Sequence, residues 1–361
     1  MTDGYSELNA KKRLISPRIL KRIDEKYQIL SEDPYYDEEL KRKECKLLFQ
    51  ESTVNSARLE EELVNLQNTG TNGKSRPVSK KKVEDEARNL GKKVQEAWIF
   101  ACRNYQGKIT EELIGGIGHI IDPFANPSSQ LRTGMVQVGG RSAFTPDKLR
   151  LFLPRYLEEL NDGFVYLGKK SEDSERLPIN SVEKAAYAHL SMFIMQPCSD
   201  GNKRVGRTLQ NLILQEAKLP PPIIYSAESP EYISKLCAAR MAFDERGSTS
   251  SSDDFSQTER DFFDYIGTKV LISLDRMNDA LSKDKKFKIE LVANPSHRKE
   301  TYLSAKHALQ SLLRKRDPQG QVRLGEAELI LRGNITESDI GAVLDSLKQV
   351  NDYKISPYRK I

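Results

Sequence analysis

The chain has 361 residues, 38% hydrophobic and 30% charged, with a formal net charge of +5. That balance excludes a fibre or a wholly disordered chain and allows one large or two modest globular domains; the charge permits an anionic partner without naming one. The longest apolar runs are too short to span a bilayer, and the start, MTDGYSELNAKKRLISPRIL, lacks a signal-peptide apolar region, so the expected location is cytoplasmic with no membrane partner. Cys45, Cys102, Cys198 and Cys237 lie far apart with no CxxC and only four histidines beside them, which points to neither a disulfide framework nor a zinc site.

In chain order, residues 18–31 and 38–68 repeat apolar side chains every three or four positions, among them Leu47, Leu48, Val54, Leu59, Leu63 and Leu66, and predict two amphipathic helices. Residues 69–82, TGTNGKSRPVSKKK, have the composition of a linker. Helical patterns return at 83–105 and 109–121. Next, RTGMVQVGGRSAFTP (132–146) alternates Met135, Val136 and Val138 around a double glycine, which fits a short hairpin, and Thr145 with Pro146 opens the following helix. A charged loop, 168–180, ends at Pro178. Helices over 181–195 and 203–218 follow: Val182, Ala185, Ala186, Leu190, Phe193 and Ile194 line a broad face of the first, Val205, Leu209, Leu212 and Ala217 the second, which LPPP stops. After a Ser/Asp-rich loop, 245–257, a helix over 258–282 closes the helical part. From Lys283, FKIELVA and QVRLGEAELILRG read as strands, SAKHALQSLLRKR and TESDIGAVLDSLKQV as helices, the last with a Thr336 to Asp339 capping pattern. The expected fold class is mainly α, a helical bundle with a short β-hairpin flap and a small C-terminal α/β appendage. It divides as 1–82 (N-terminal helices and linker), 83–282 (core) and 283–361 (α/β module).

The stretch MQPCSDGNKRVGR, 195–207, interrupts two apolar helices with a polar, cationic loop. A loop entering a helix presents unpaired N–H groups and the positive end of the helix dipole, and Gly201 lets that backbone approach a ligand closely. Arg204 and Arg207, three residues apart, share a helix face, and Lys203 adds a third cation. Asp200 beside them is the carboxylate that, with phosphate oxygens, suits Mg²⁺. The residue types alone read equally well as common turn chemistry followed by a solvated or salt-bridged face. No GxxxxGK[ST] occurs, and GGIG at 115–118 sits inside a helical pattern.

QPCSDGNKRVGR also resembles the signature loop of Fic-domain (Fido) proteins, HPFxDGNGRxxR or its GNKR form, at Pro197, Asp200, Gly201, Asn202, Arg204 and Arg207. The flanks are similar too: LPINSVEKAAYAHLSMFIM resembles the entering helix, LRTGMVQVGGRSAF the arginine-preceded flap and SPEYISKLCAAR the Tyr-containing helix that follows. The resemblance covers residues 18–282. It implies transfer of AMP from ATP to a Ser, Thr or Tyr hydroxyl of a target protein. By position, Asp200 would bind Mg²⁺, Gly201 and Asn202 would cradle the α-phosphate, Arg204 would neutralise the inner phosphates, Arg207 would hold the γ-phosphate and Lys203 would add contacts. Backbone at Val136, Gln137, Val138, Gly139 and Gly140 would pair with the target. NSARLEEE (55–62) resembles the inhibitory-helix pattern [S/T]xxxE[G/N] of such proteins at Ser56 and Glu60 and departs from it at Glu61; the resemblance implies that Glu60 pairs with Arg207.

Two departures concern the chemistry. Gln196 stands where the family has the histidine that takes the target's proton, and an amide cannot accept it. Cys198 replaces the usual Phe and reads as an inert buried thiol. His189, seven positions upstream and so ~10 Å along a helix, reads as a structural histidine. The expectation is an ATP- and Mg²⁺-binding relative of protein AMP transferases with weak or lost transfer, autoinhibited through Glu60. Two other readings stand beside it: an active transferase that bypasses the histidine, and a helical scaffold whose residues 283–361, with the cationic LLRKRD, bind a partner or nucleic acid.

Overall fold

A computed structural model of the chain describes residues 13–32, 38–70, 80–138, 141–166, 176–248, 255–282, 286–292, 298–317, 319–324, 328–333, 335–347, 350 and 352–357; of these, the side chains of 60–70, 80–88, 141, 166, 176, 246–248, 286, 292 and 298 are outside the description. The described residues form helices α1 (Pro17–Glu32), α2 (Glu38–Gly70), α3 (Lys80–Asn104), α4 (Glu111–Ile121), α5 (Pro146–Asp162), α6 (Ser181–Met195), α7 (Asn202–Glu216), α8 (Ser229–Ser248), α9 (Gln257–Ser282), α10 (Arg298–Arg316) and α11 (Glu337–Asp345). Strands β1 (Gln137–Val138) and β2 (Arg141–Ser142), then β3 (Phe164–Tyr166) and β4 (Arg176–Pro178), pair as short antiparallel ribbons. A four-stranded sheet comprises β5 (Lys286–Val292), β6 (Gln321–Leu324), β7 (Leu329–Arg332) and β8 (Asp352–Pro357). This is a mainly α fold with the expected hairpin; the β3–β4 ribbon was not foreseen. Two compact units result, one from Met1–Asp24 with Leu47–Ser273, the other from Glu25–Lys46 with Leu274–Ile361.

The first unit is built around α6. Instead of one broad face, almost the whole helix is buried, from Val182 through Met195, because α5, α7 and α8 all pack on it. Its small Ala185, Ala186 and Ala188 are fully buried, which lets those neighbours approach closely. Asn180 caps its start by accepting from Val182 and Glu183 N–H, while Glu183 accepts from Asn180 N–H in return. The fully buried Glu183 carboxylate also takes the backbone N–H groups of Leu14 and Ile15 and pairs with Arg13 at 2.9 Å. Burial pushes that carboxyl's pKa up, and Arg13 opposes the shift.

In the second unit the sheet order is β6-β7-β5-β8, all antiparallel, with α10 between β5 and β6 and α11 between β7 and β8. That is the split βαβ arrangement of ferredoxin-like modules. Alternation sends Phe287, Ile289 and Leu291 of β5 inward against Tyr302, Leu309 and Leu313 of α10, while Lys288 and Glu290 pair on the other face. Thr336 and Asp339 form the expected capping box. Among the described residues no helix is long and apolar enough to cross a membrane.

Candidate active site

The loop between α6 and α7 departs from helical backbone at two points. Gln196 ends α6 in the left-handed region (φ 51°) and Gly201 precedes α7 in the same region (φ 82°). A side chain at Gly201 would also place its Cβ 2.8 Å from Ile121 Cγ2, so only glycine fits. Asn202 holds the turn from within: its Oδ1 accepts from Cys198 N–H at 2.8 Å, and its Nδ2 donates to the Cys198 carbonyl at 2.8 Å and to Gln196 Oε1 at 2.7 Å. Gln196 Nε2 in turn donates to the Phe193 carbonyl at 2.7 Å.

Two residues hold the loop from outside. Asn126 accepts from Ser199 N–H at 2.7 Å and donates to the carbonyls of Asp200 and Gly118, both at 3.1 Å. The buried Arg132 guanidinium donates to the carbonyls of Gln196, Gly134 (2.6 Å), Phe144 (2.5 Å) and Met195 (3.2 Å), joining the end of α6 to both ends of the flap. Burial draws its pKa down, Cys198 countering. An arginine before the flap was visible in the sequence, but its partners were not; nothing marked Asn126. GGIG is a packing feature: a Cβ on Gly118 would lie 2.4 Å from Cys198 Sγ. Cys198 is buried, and burial foremost, with Asp200 adding, pushes its thiol up to about 12, so it is protonated and inert at neutral pH.

The charged residues separate into two groups. Arg204 is 9% exposed, with Nη2 3.6 Å from the exposed Asp200 carboxylate. Its buried Nε has no hydrogen-bond partner among the described residues, and no side chain caps the first turn of α7. A buried cationic donor left unsatisfied is costly, and beside a helix N-terminus an anion satisfies it. Arg207 has other partners. Its Nε donates to Ser56 Oγ at 2.7 Å, Nη2 to the Ser56 carbonyl at 2.9 Å and Nη1 to Tyr232 Oη at 2.9 Å. Gln210 Oε1, 2.9 Å from His189 Nδ1, can only accept, which places the single ring proton of the neutral imidazole on Nδ1 and leaves Nε2 to accept from Tyr232 Oη at 2.8 Å. His189 is thus a satisfied, fully buried histidine. Lys203 is half-buried at the mouth.

Ser56 comes from α2, which lies along α7 with polar groups inward. Ser52 accepts from Asn211 Nδ2 at 3.1 Å and donates to the Pro222 carbonyl, repeating one turn away the Ser56 to Arg207 contact. Leu47 and Val54, which the apolar spacing placed on the buried face, are 48% and 47% exposed, because the face opposite Arg207 and Asn211 carries Ser52, Thr53, Asn55 and Ser56. The Glu60 side chain, like Gly139 and Gly140, is outside the described residues. Of the remaining flap residues, Gln137 and Val138 form β1, and the Val136 carbonyl accepts from Ala143 N–H at 2.9 Å.

No family model matches the chain. Among curated proteins, the protein adenylyltransferase fic-1 of Caenorhabditis elegans is 34% identical over 115 residues, which is 32% of this chain and 20% of that protein. The protein adenylyltransferase Fic of Drosophila mojavensis is 28% identical over 226 residues, 61% of this chain and 42% of that protein. The chain therefore matches less than half the length of either relative. The crystal structure of a Fic domain-containing signalling protein from Bacteroides thetaiotaomicron superposes with a TM-score of 0.51 at 18% identity, covering 73% of this chain and 97% of that one, and so shares its fold. With its signature-like loop set between two helices beneath a hairpin, the chain has the fold of a Fic domain and is similar in sequence to Fic protein adenylyltransferases.

Proposed function

We propose that this protein holds ATP in the 196–207 loop and transfers AMP to protein hydroxyls weakly or not at all. The observation that carries the reading is the buried Nε of Arg204, which has no hydrogen-bond partner among the described residues, beside a helix start that no side chain caps and a glycine in the left-handed region. Backbone N–H groups at Gly201 and Asn202 would receive the α-phosphate, Arg204 the inner phosphates, Arg207 the γ-phosphate, and Lys203 would add charge at the entrance. Magnesium would bind at Asp200. The carboxylate is exposed at the loop's edge, and a single carboxylate with phosphate and water oxygens is a ligand set that magnesium accepts. When bound, the ion neutralises phosphate charge.

AMP transfer forms a bond from the target's hydroxyl oxygen to the α-phosphorus and breaks the bond to pyrophosphate, and the hydroxyl proton needs an acceptor. Gln196 supplies none, and its carboxamide is already engaged at both ends by Phe193 and Asn202. Losing a positioned base lowers rates by about 10²- to 10⁴-fold. The target would dock by strand addition on the flap at Val136, Gln137, Val138, Gly139 and Gly140. Ser56 and Glu60 would act as an autoinhibitor from α2; the Ser56 to Arg207 contacts support this by occupying donors that a γ-phosphate would use.

Calorimetry with ATP and Mg²⁺ tests the grip: saturable binding lost in Arg204→Ala supports it, and no binding by the wild type rejects it. Incubation with α-labelled ATP and cell lysate tests the chemistry. Labelling that appears in Gln196→His and rises with Glu60→Gly is expected; robust labelling by the wild type that Arg204→Ala abolishes would reject the weak-transfer reading.

A further inference from the structure

If the loop holds a nucleotide, one of its residues has a role that neither grip nor chemistry assigns. Gln196 is 5% exposed, its backbone is in the left-handed region, and both polar atoms of its carboxamide are used inside the loop. We infer that Gln196 is a positioning residue, a brace that sets the shape of the anion-holding turn; this rests on the nucleotide reading above. The carboxamide spans the turn from end to end: Nε2 donates to the Phe193 carbonyl in the last turn of α6, and Oε1 accepts from Asn202 at the first position of α7. Asn202 passes that constraint to both backbone groups of Cys198. The Gln196 carbonyl meanwhile accepts from Arg132, which ties the same residue to the flap. One side chain therefore fixes the spacing between two helix ends and the orientation of the asparagine proposed to cradle phosphate. A turn ordered in advance spares the nucleotide the entropy of ordering it. A carboxamide suits this because it offers a donor and an acceptor side by side.

The test uses the full chain, with ATP·Mg²⁺ affinity and amide hydrogen exchange of the 196–203 peptide read together. Gln196→Met keeps the length and removes both hydrogen bonds; it is expected to weaken ATP about tenfold and to speed exchange in that peptide alone. Gln196→Glu supplies a control within one variant. Its protonated acid can donate to Phe193 and accept from Asn202, but its carboxylate cannot donate. Affinity of this variant relative to wild type at the same pH, with Arg132 touching residue 196 in both, is expected to fall as pH rises from 5 to 8. Unchanged exchange in Gln196→Met, or a Gln196→Glu ratio that does not move with pH, overturns the brace. A wild type that binds no ATP while Gln196→Met still speeds local exchange overturns the nucleotide reading and leaves the brace standing.

Discussion

Gly118→Ala puts a methyl group where the structure has no room. Its Cβ would fall 2.4 Å from Cys198 Sγ and 3.3 Å from Cys198 Cβ, against 3.4–4 Å for ordinary contact, so the sulfur must move by about 1 Å within a site where Cys198 is 2% exposed. Overpacking of this kind costs about 1–3 kcal/mol, and replacing glycine by alanine within a helix returns about 1 kcal/mol, for a net loss of up to about 2 kcal/mol. Cys198→Ala removes the atom that clashes, so the double variant is expected to recover most of that loss. Trp98, the single tryptophan, stacks on Phe49 at 5.2 Å within the same unit, and its fluorescence in a urea titration follows the unfolding that matters. The coupling between the two substitutions should be about 1–2 kcal/mol. Additivity to within about 0.5 kcal/mol would refute the contact and, with it, the account of GGIG as a close-packing feature. Gly115→Ala is the contrasting control: its Cβ meets the Ser129 backbone carbonyl at 1.9 Å, which no side-chain truncation relieves, so a larger loss without rescue is expected.

Ser56→Ala leaves Arg207 Nε buried without its acceptor and should destabilise the first unit by about 1.5–3 kcal/mol in the same titration, whereas Ser56→Thr, which keeps the hydroxyl, should stay close to wild type. Arg132→Lys retains the charge, but a single ammonium cannot serve carbonyls on three separate segments; a loss of about 3 kcal/mol and faster hydrogen exchange over residues 135–145 are expected. In the native protein, mass spectrometry after alkylation at pH 8 should find Cys102 and Cys237 modified and Cys198 untouched, since Cys198 alone of the three is buried. The pH dependence has a definite sign: because folding raises the Cys198 thiol, the stability it confers is complete below the unfolded value of about 8.5 and is lost as pH climbs toward about 12. Alkylation of Cys198 at pH 8 at the rate of Cys237 would contradict both statements.

What was legible in the sequence is what lies close together along it. Asp200 through Arg207 could be read as a turn and helix start because carboxylate, glycine and cations sit within eight consecutive positions, and Thr145–Pro146 and Thr336–Asp339 were recognisable as caps because their signals are equally local. The residues that give the loop its shape lie elsewhere. Asn126 reaches Asp200 across 74 positions, Arg132 reaches Gln196 across 64, and Ser56 reaches Arg207 across 151. No periodicity links them, since each acts through one polar contact and not through a repeated apolar face. The misreading of α2 has the same origin. Hydrophobic spacing assigns a helix's buried side from its leucines and valines, but α2 lies against a face of α7 that carries Arg207 and Asn211, and the hydroxyls that satisfy those groups had to go inside.

Gln196 joins these two observations. Judged by residue type, it is a substitution that removes a proton acceptor. Judged by its contacts, it completes a set in which every polar atom of the Gln196 and Asn202 carboxamides that the structure pairs is directed back into the loop. A turn in which the side-chain amides satisfy one another while a neighbouring guanidinium nitrogen is buried with no hydrogen-bond partner among the described residues is suited to a ligand that carries negative charge. On the proposed reading, that asymmetry separates binding from transfer: the grip would depend on Arg204, Gly201 and the helix start, whereas transfer would depend on a titratable side chain at position 196, where this chain has Gln196.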